Sequence, residues 1–251
     1  MSYWTDLQEA DILGKLQGLF AQGRLYIDPE DLKIRKPKQV MLISNPWIFT
    51  KQATWMNCAL WHQIYFSQLK IIHSSCFECF KVVVRPETVK ELFQVLEQME
   101  IMGLPGKCGI EPREYVKHLY GAYFYSRGLA EGKHLYELVK KTMEQEIRPD
   151  ISVILKRGCT EFELIHGDSK KYEQKPYDKK MEELLEKYMD VPIYAFEQPE
   201  YLKTHIKKMW LSFAYKNNDK TCLEFNDGED FVVQPATYHD AEDINHGTRH
   251  Q

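Results

Sequence analysis

Apolar residues recur at spacings of three and four through Ile12, Leu13, Leu16, Leu19 and Phe20, and Gly23 closes the run. That period predicts an amphipathic helix over 5–22. Asp28–Leu32 predicts a turn or a short second helix, and the basic stretch Lys33–Lys38 a solvated linker. Val40–Ile43 predicts a short strand that Asn45-Pro46 ends. Between Thr50 and Phe66 the residues Trp55, Cys58, Ala59, His62 and Phe66 fall on one helical stripe. A second helix is expected there, with Cys58 as a small buried hydrophobe and Trp47, Trp55 and Trp61 as packing residues.

The period changes at Phe80. Lys81-Val82-Val83-Val84 is a β-branched run and predicts a strand. Pro86 opens a helix whose buried stripe is Val89, Leu92, Phe93, Leu96 and Met99, and Gly103-Leu104-Pro105-Gly106 stops it. Cys108–Glu114 fits either a short strand or a turn leading into a short helix. Tyr120–Ser126 is aromatic and predicts a strand. Leu129–Gln145 is helical in period, and Ile151, Val153 and Leu155 alternate as a strand that ends at Gly158-Cys159.

The resulting order is β-α-β-β-α-β, the ferredoxin-like split pattern. The expected fold class is therefore α+β: a ferredoxin-like core over 76–168, an N-terminal helical segment over 1–75 and a mostly helical extension over 169–251. In that extension Ser169–Lys180 reads as a charged connection, and Met181–Met189 and Pro199–Tyr215 as helices. Cys222–Phe225 and Phe231–Val233 are expected to form a hairpin around Asn226-Asp227-Gly228, and the chain from Asp240 reads as frayed.

Composition narrows the function classes. A hydrophobic fraction of 43% over 251 residues can build a core without staples. The net charge of −4 gives no global attraction to nucleic acid or to an anionic membrane. No apolar run approaches the ~20 residues that span a bilayer, and Met1–Asp6 lacks the basic-then-apolar pattern of a signal peptide. A cytoplasmic location without membrane association is expected. Six cysteines are too sparse for a disulfide scaffold and, in a reducing compartment, point to metal ligation or catalysis.

Four of them carry the functional expectation. Cys76 and Cys79 form C-x2-C just before the first core strand, Cys108 lies at the start of the second, and Cys159 at the end of the fourth. In a split β-α-β arrangement those three places share one end of the sheet. The expected site is a metal centre held by Cys76, Cys79, Cys108 and Cys159. Glycines beside Cys108 and Cys159 let backbone approach a bulky inorganic group. Lys107 and Arg157 lie beside these positions and would offset thiolate charge around the cofactor.

Scattered third and fourth cysteines suit a [4Fe–4S] cluster better than zinc, which usually takes two short knuckles. His73 is the nearest histidine that could replace a thiolate. Glu161 and Glu163, at alternating positions after Cys159, and His166 are candidate acid–base groups. Tyr120–Tyr125 lies where an RNA-recognition module carries its aromatic third strand, with Arg113, Lys117, His118 and Arg127 nearby. The match is partial, because Ala122 stands where a stacking aromatic is expected. The expected function is an iron–sulfur protein that meets a redox partner or a small-molecule substrate. The alternative is a zinc-stabilised module that binds RNA, DNA or another protein.

Overall fold

The lysine–valine run forms the middle of the molecule. In the computed structural model, which describes residues 5, 7, 10–37, 45–193 and 197–229, strand β4 (Cys79–Arg85) is buried on both faces from Lys81 to Val84. A β-branched run suits that position, because its stiff side chains pack well against neighbours on both faces of a pleat. β4 pairs antiparallel with β6 (Tyr120–Arg127) on one side and with β7 (Ser152–Arg157) on the other. β6 pairs antiparallel with β5 (Gly106–Ile110), and β5 with β3 (Trp47–Lys51). The sheet order is β3-β5-β6-β4-β7.

The elements of the core follow in chain order as β4, α3 (Val89–Met102), β5, β6, α4 (Gly128–Glu146) and β7. α3 starts where Thr88 accepts a hydrogen bond from the Glu91 amide at 3.2 Å, and it ends at Gly103 in the left-handed region. Both helices cover one face of the sheet. Val82, Val84, Ala122 and Phe124 from the sheet, Leu92, Val95 and Met99 from α3, and Val139 and Met143 from α4 share one core. α7 (Glu200–Lys216) adds Ile206 and Trp210 to it, and the Trp210 indole donates to the Pro46 carbonyl at 2.8 Å.

A second core joins the N-terminal helix to residues 64–71 and 181–191. Helix α1 (Ile12–Ala21) brings Ile12, Leu16 and Leu19 against Ile64, Tyr65 and Leu69, and α6 (Pro176–Tyr188) adds Met181, Leu185 and Tyr188. A small sheet links the same regions, with β1 (Tyr26–Ile27) antiparallel to β2 (Ile34–Arg35) and β2 parallel to β8 (Met189–Asp190). No described helix is long and apolar enough to cross a membrane.

Several expectations are corrected. Residues 47–51 form an edge strand, so Thr50 and Lys51 are not the start of the expected helix; Ile48 pairs with Cys108 and is fully buried. Gln198 closes the outer edge of that strand, accepting from the Phe49 amide at 2.7 Å and donating to the Trp47 carbonyl at 2.9 Å. The helical stretch begins only at Cys58, behind an Asn57 cap, and runs through Cys58–Leu60, a π-helical Trp61–Phe66 and Ser67–Leu69, here α2. The basic linker contains β2, and Lys36 is buried, donating to Gln63. Cys222–Phe225 lies in a 3-10 helix, Lys220–Asn226, rather than a hairpin. The expected strand over 40–43, the residues 231–233 and the chain from 240 lie outside the described residues.

Candidate metal centre

Strand alternation sorts the side chains of the sheet. Val82 and Val84 face the helices, so Cys79, Lys81 and Val83 face the other way. Register brings Tyr125 opposite Lys81, and Tyr123 opposite both Val83 and Lys107, so these side chains share that second face. α2 and the helix after Cys159, α5 (Thr160–His166), close over it. Phe66 and His62 of α2 meet Phe162 of α5 with ring centroids 4.4 and 5.6 Å apart.

Backbone contacts set the cysteines. Gly158 turns in the left-handed region at φ 64°, and its amide donates to the Cys79 carbonyl at 2.8 Å. That bond places Cys159 beside Cys79. Arg157 donates from Nε to the Phe77 carbonyl and from its guanidinium to the Ser169 carbonyl, both at 2.8 Å. The C-x2-C turn is thus tied to the end of β7. Gly158→Ala would have room for its Cβ, whose nearest neighbours lie 3.7 Å away. Its cost is therefore conformational, about 1–2 kcal/mol. Urea unfolding should show a lower midpoint with an unchanged slope.

Two lysines sit among the thiols. Lys81 is only 9% exposed, and its Nζ donates to Cys159 Sγ at 3.4 Å. Burial works against its charge, but the ionisable groups around it, Cys159 first and then Cys79, Tyr125 and Cys58, outweigh that and raise its pKa. Lys107 is half-buried over a box of rings, with Nζ 4.4 Å from the centroid of Trp47, 5.7 Å from Tyr123 and 5.8 Å from Phe49. Burial and the neighbouring Lys81 lower it to about 8. Among the described residues neither lysine forms an ion pair with a carboxylate.

The thiols show the complementary shift. Burial pushes Cys58 up to about 11, Cys79 to about 12 and Cys76 higher still, and the four cysteines 58, 76, 79 and 159 act on one another. Cys58 is exposed as a residue, yet burial dominates its thiol, so it lies in a recess that water reaches. At neutral pH Cys58, Cys76 and Cys79 would be protonated beside a buried ammonium, which is a costly arrangement. Thiolates bound to a metal would remove the mismatch, since binding deprotonates the ligands.

Cys76, Cys79 and Cys159 lie within electrostatic reach of one another, and Cys108 lies elsewhere. Cys108 is fully buried on the helix-covered face, in the core with Val82, Phe124 and Trp210. The physical reason is the period of two: Lys107 faces the thiols, so its neighbour faces the opposite side. Cys58, on α2, is the further thiol within electrostatic reach of Cys76, Cys79 and Lys81. Its i, i+4 spacing to His62 was the available signal, since both lie one turn apart on α2 and both face the site. His62 has its pKa lowered by burial and feels Lys81 and Lys107.

The remaining candidates have other duties. Arg157 holds carbonyls, as described. Glu161 and Glu163 lie on helix α5, not on a strand, so they diverge rather than share a face. Glu161 pairs with Arg113 at 2.6 Å and accepts from Tyr115 at 2.9 Å, while Glu163 pairs with Lys156. His166 ends α5 at the surface, 5.9 Å from the Phe66 ring. His73 is buried and caps Ser74–Cys76 by accepting from the Ser75 amide at 3.1 Å, with Glu182 at 4.0 Å. Tyr123 and Tyr125 are half-buried against the site, and Tyr120 and Phe124 belong to the helix-side core.

Among the described residues no group of three or more His, Cys, Asp or Glu side chains is already set to hold a single metal ion. No protein-family model, curated protein or solved structure matches this chain.

Proposed function

We propose that this protein is an iron–sulfur protein whose [4Fe–4S] cluster is held by Cys76, Cys79 and Cys159, with Cys58 as the fourth ligand. The core order β-α-β-β-α-β, read with strand order β5-β6-β4-β7, is on this reading ferredoxin-like. The observation that carries the proposal is Lys81: a buried ammonium whose ionisable neighbours are thiols and a tyrosine rather than a carboxylate.

The donor set fits such a group. Four thiols supply soft ligands, and Lys81 and Lys107 supply two positive charges against the net negative charge of a thiolate-ligated cluster. A cluster also spreads its ligands over several irons, which suits thiols that are neighbours without sharing one ion's coordination sphere. When bound through four cysteines, the group would supply one-electron transfer. The chain's own residues do the rest. Lys81 donates to the Cys159 sulfur, Gly158 fixes the turn beside Cys79, and Phe66, Trp61 and Phe162 exclude water from the Cys76 side. Cys58 and His62 border the side that solvent reaches, where a redox partner or a small substrate would approach. An oxygen-sensitive centre of this kind suits the reducing cytoplasm.

Anaerobic purification with iron, sulfide and zinc analysis and an absorption spectrum tests this reading. About four irons and four sulfides per chain, with a broad visible band, are the expected result. One zinc per chain without sulfide would replace it with a zinc-stabilised interaction module. Absence of metal after anaerobic reconstitution would overturn both.

A further inference from the structure

The two edges of the main sheet are treated differently. Gln198 closes the β3 edge, whereas β7 pairs only with β4 and carries no backbone bond along its outer edge among the described residues. A groove of about 860 Å³ runs along that open edge. Six strand residues make it roughly 17 Å long. Arg85, Lys117 and His118 line one end, and Lys156, Arg157 and Lys170 the other. Glu163 and Asp168 are the acidic residues of the lining. Lys156 is neutralised by Glu163, and Arg157 is committed to carbonyls.

Arg85 is different. It is half-buried at the end of β4, its guanidinium donates to His118 Nε2 at 3.0 Å, and it forms no ion pair with a carboxylate among the described residues. A guanidinium held by a neutral imidazole keeps its full charge and most of its donors. Lys117, exposed on the loop beside it, adds a second unpaired cation. Between the two ends the wall is apolar: Ile154, Leu155 and Val116, with the ring of Tyr115 exposed.

We propose that this groove binds a nucleotide, with its phosphates on Arg85, Lys117 and His118 and its base against Tyr115 and Ile154. The volume lies in the range of about 300–1,000 Å³ that holds ligands of this size and far exceeds what one phosphate fills. Cations at one end of an apolar trough fit a molecule that is anionic at one end and flat and apolar at the other. The far end of the groove reaches Thr160, next to Cys159, so a bound nucleotide would extend toward the thiol site. The inference stands whether or not a cluster is present.

Calorimetric titration of the full chain with ADP, adenosine and inorganic phosphate tests it. ADP should bind saturably, with adenosine and phosphate each weaker by about tenfold or more. Arg85→Gln and Lys117→Glu should each weaken ADP by about tenfold without lowering the melting temperature. Lys117 is exposed, so its variant decides the matter if Arg85→Gln fails to fold. No saturable ADP binding at millimolar concentration would overturn the proposal. So would adenosine binding as tightly as ADP, or ADP affinity unchanged in the folded variants. Binding of a single-stranded oligonucleotide that ADP cannot displace would assign the groove to a polymer instead, and would also overturn it.

Discussion

If the proposed cluster is present, Cys58→Ser is expected to strip it from this protein, while Cys108→Ser leaves it in place. On the proposed reading Cys58 holds the fourth ligand position, for which the sequence pattern points to Cys108. Cys58 acts electrostatically on Cys76 and on Lys81, whereas the shift of the Cys108 thiol comes from burial, with Glu100 and Lys207 as its charged neighbours. Disturbing even an outer partner of a ligand commonly costs about 10–100-fold in metal affinity. Removal of a ligand itself should leave the purified Cys58→Ser protein with a small fraction of its iron. Cys108→Ser instead puts a hydroxyl into an apolar core, at a cost of about 1–3 kcal/mol, with metal content unchanged. Iron and sulfide per chain, measured beside a urea melt, separate the two. Iron lost from Cys108→Ser and kept in Cys58→Ser would reverse the assignment.

Arg113→Met should be the most damaging single change in the loop between β5 and β6. Glu111 has a side chain only 1% exposed, and Arg113 grips both its carboxylate oxygens while Tyr123 donates to it at 2.8 Å. The same guanidinium reaches Glu161 at 2.6 Å and so ties the loop to α5, the helix that follows Cys159. Without Arg113, Glu111 is a buried carboxylate with no counter-charge, which costs about 3–5 kcal/mol. Chemical denaturation measures the loss directly.

A pH series adds a second readout. Burial works to raise the pKa of Glu161, but backbone hydrogen bonding and Arg113 outweigh it and hold the carboxyl down at about 2. A folded pKa below the unfolded value means that the stabilisation is present above the ordinary carboxylate range. It is lost as pH falls from about 4.5 towards 2. In Arg113→Met that acid-dependent loss should shrink, because Glu161 then titrates nearer its ordinary value. An unchanged acid limb would show that Arg113 does not hold Glu161 down.

Local pattern carried much of this molecule. The run Lys81–Val84, the stripe from Val89 to Met99 and the alternation of Ile151, Val153 and Leu155 each bury apolar surface with one period, and each forms the strand or helix that its period implies. Breakers did the same for Gly103 and Gly158, where only a left-handed turn continues the chain. Misreadings cluster where two periods compete or where the partner is remote. Trp47–Lys51 became a strand because β5 offered an edge and Gln198, far away in the chain, sealed the other side.

The candidate site divides along the same line. The expectation that cysteines at 76, 79 and 159 meet followed from the order of strands and from glycine turns, both local features. Which further thiol joined them did not. Cys108 sits at the expected strand, but a sheet has two faces, and the side chain's face depends on which face the helices cover. That choice is made by packing across the whole domain. α2 brings Cys58 over the other face through contacts with α5 and with the second core, of which the only local trace is the i, i+4 spacing of Cys58 and His62. The charge of Lys81 is the same kind of fact. The sequence shows a lysine at the head of an apolar strand, and only the tertiary structure shows that it is buried and that thiols, not carboxylates, surround it.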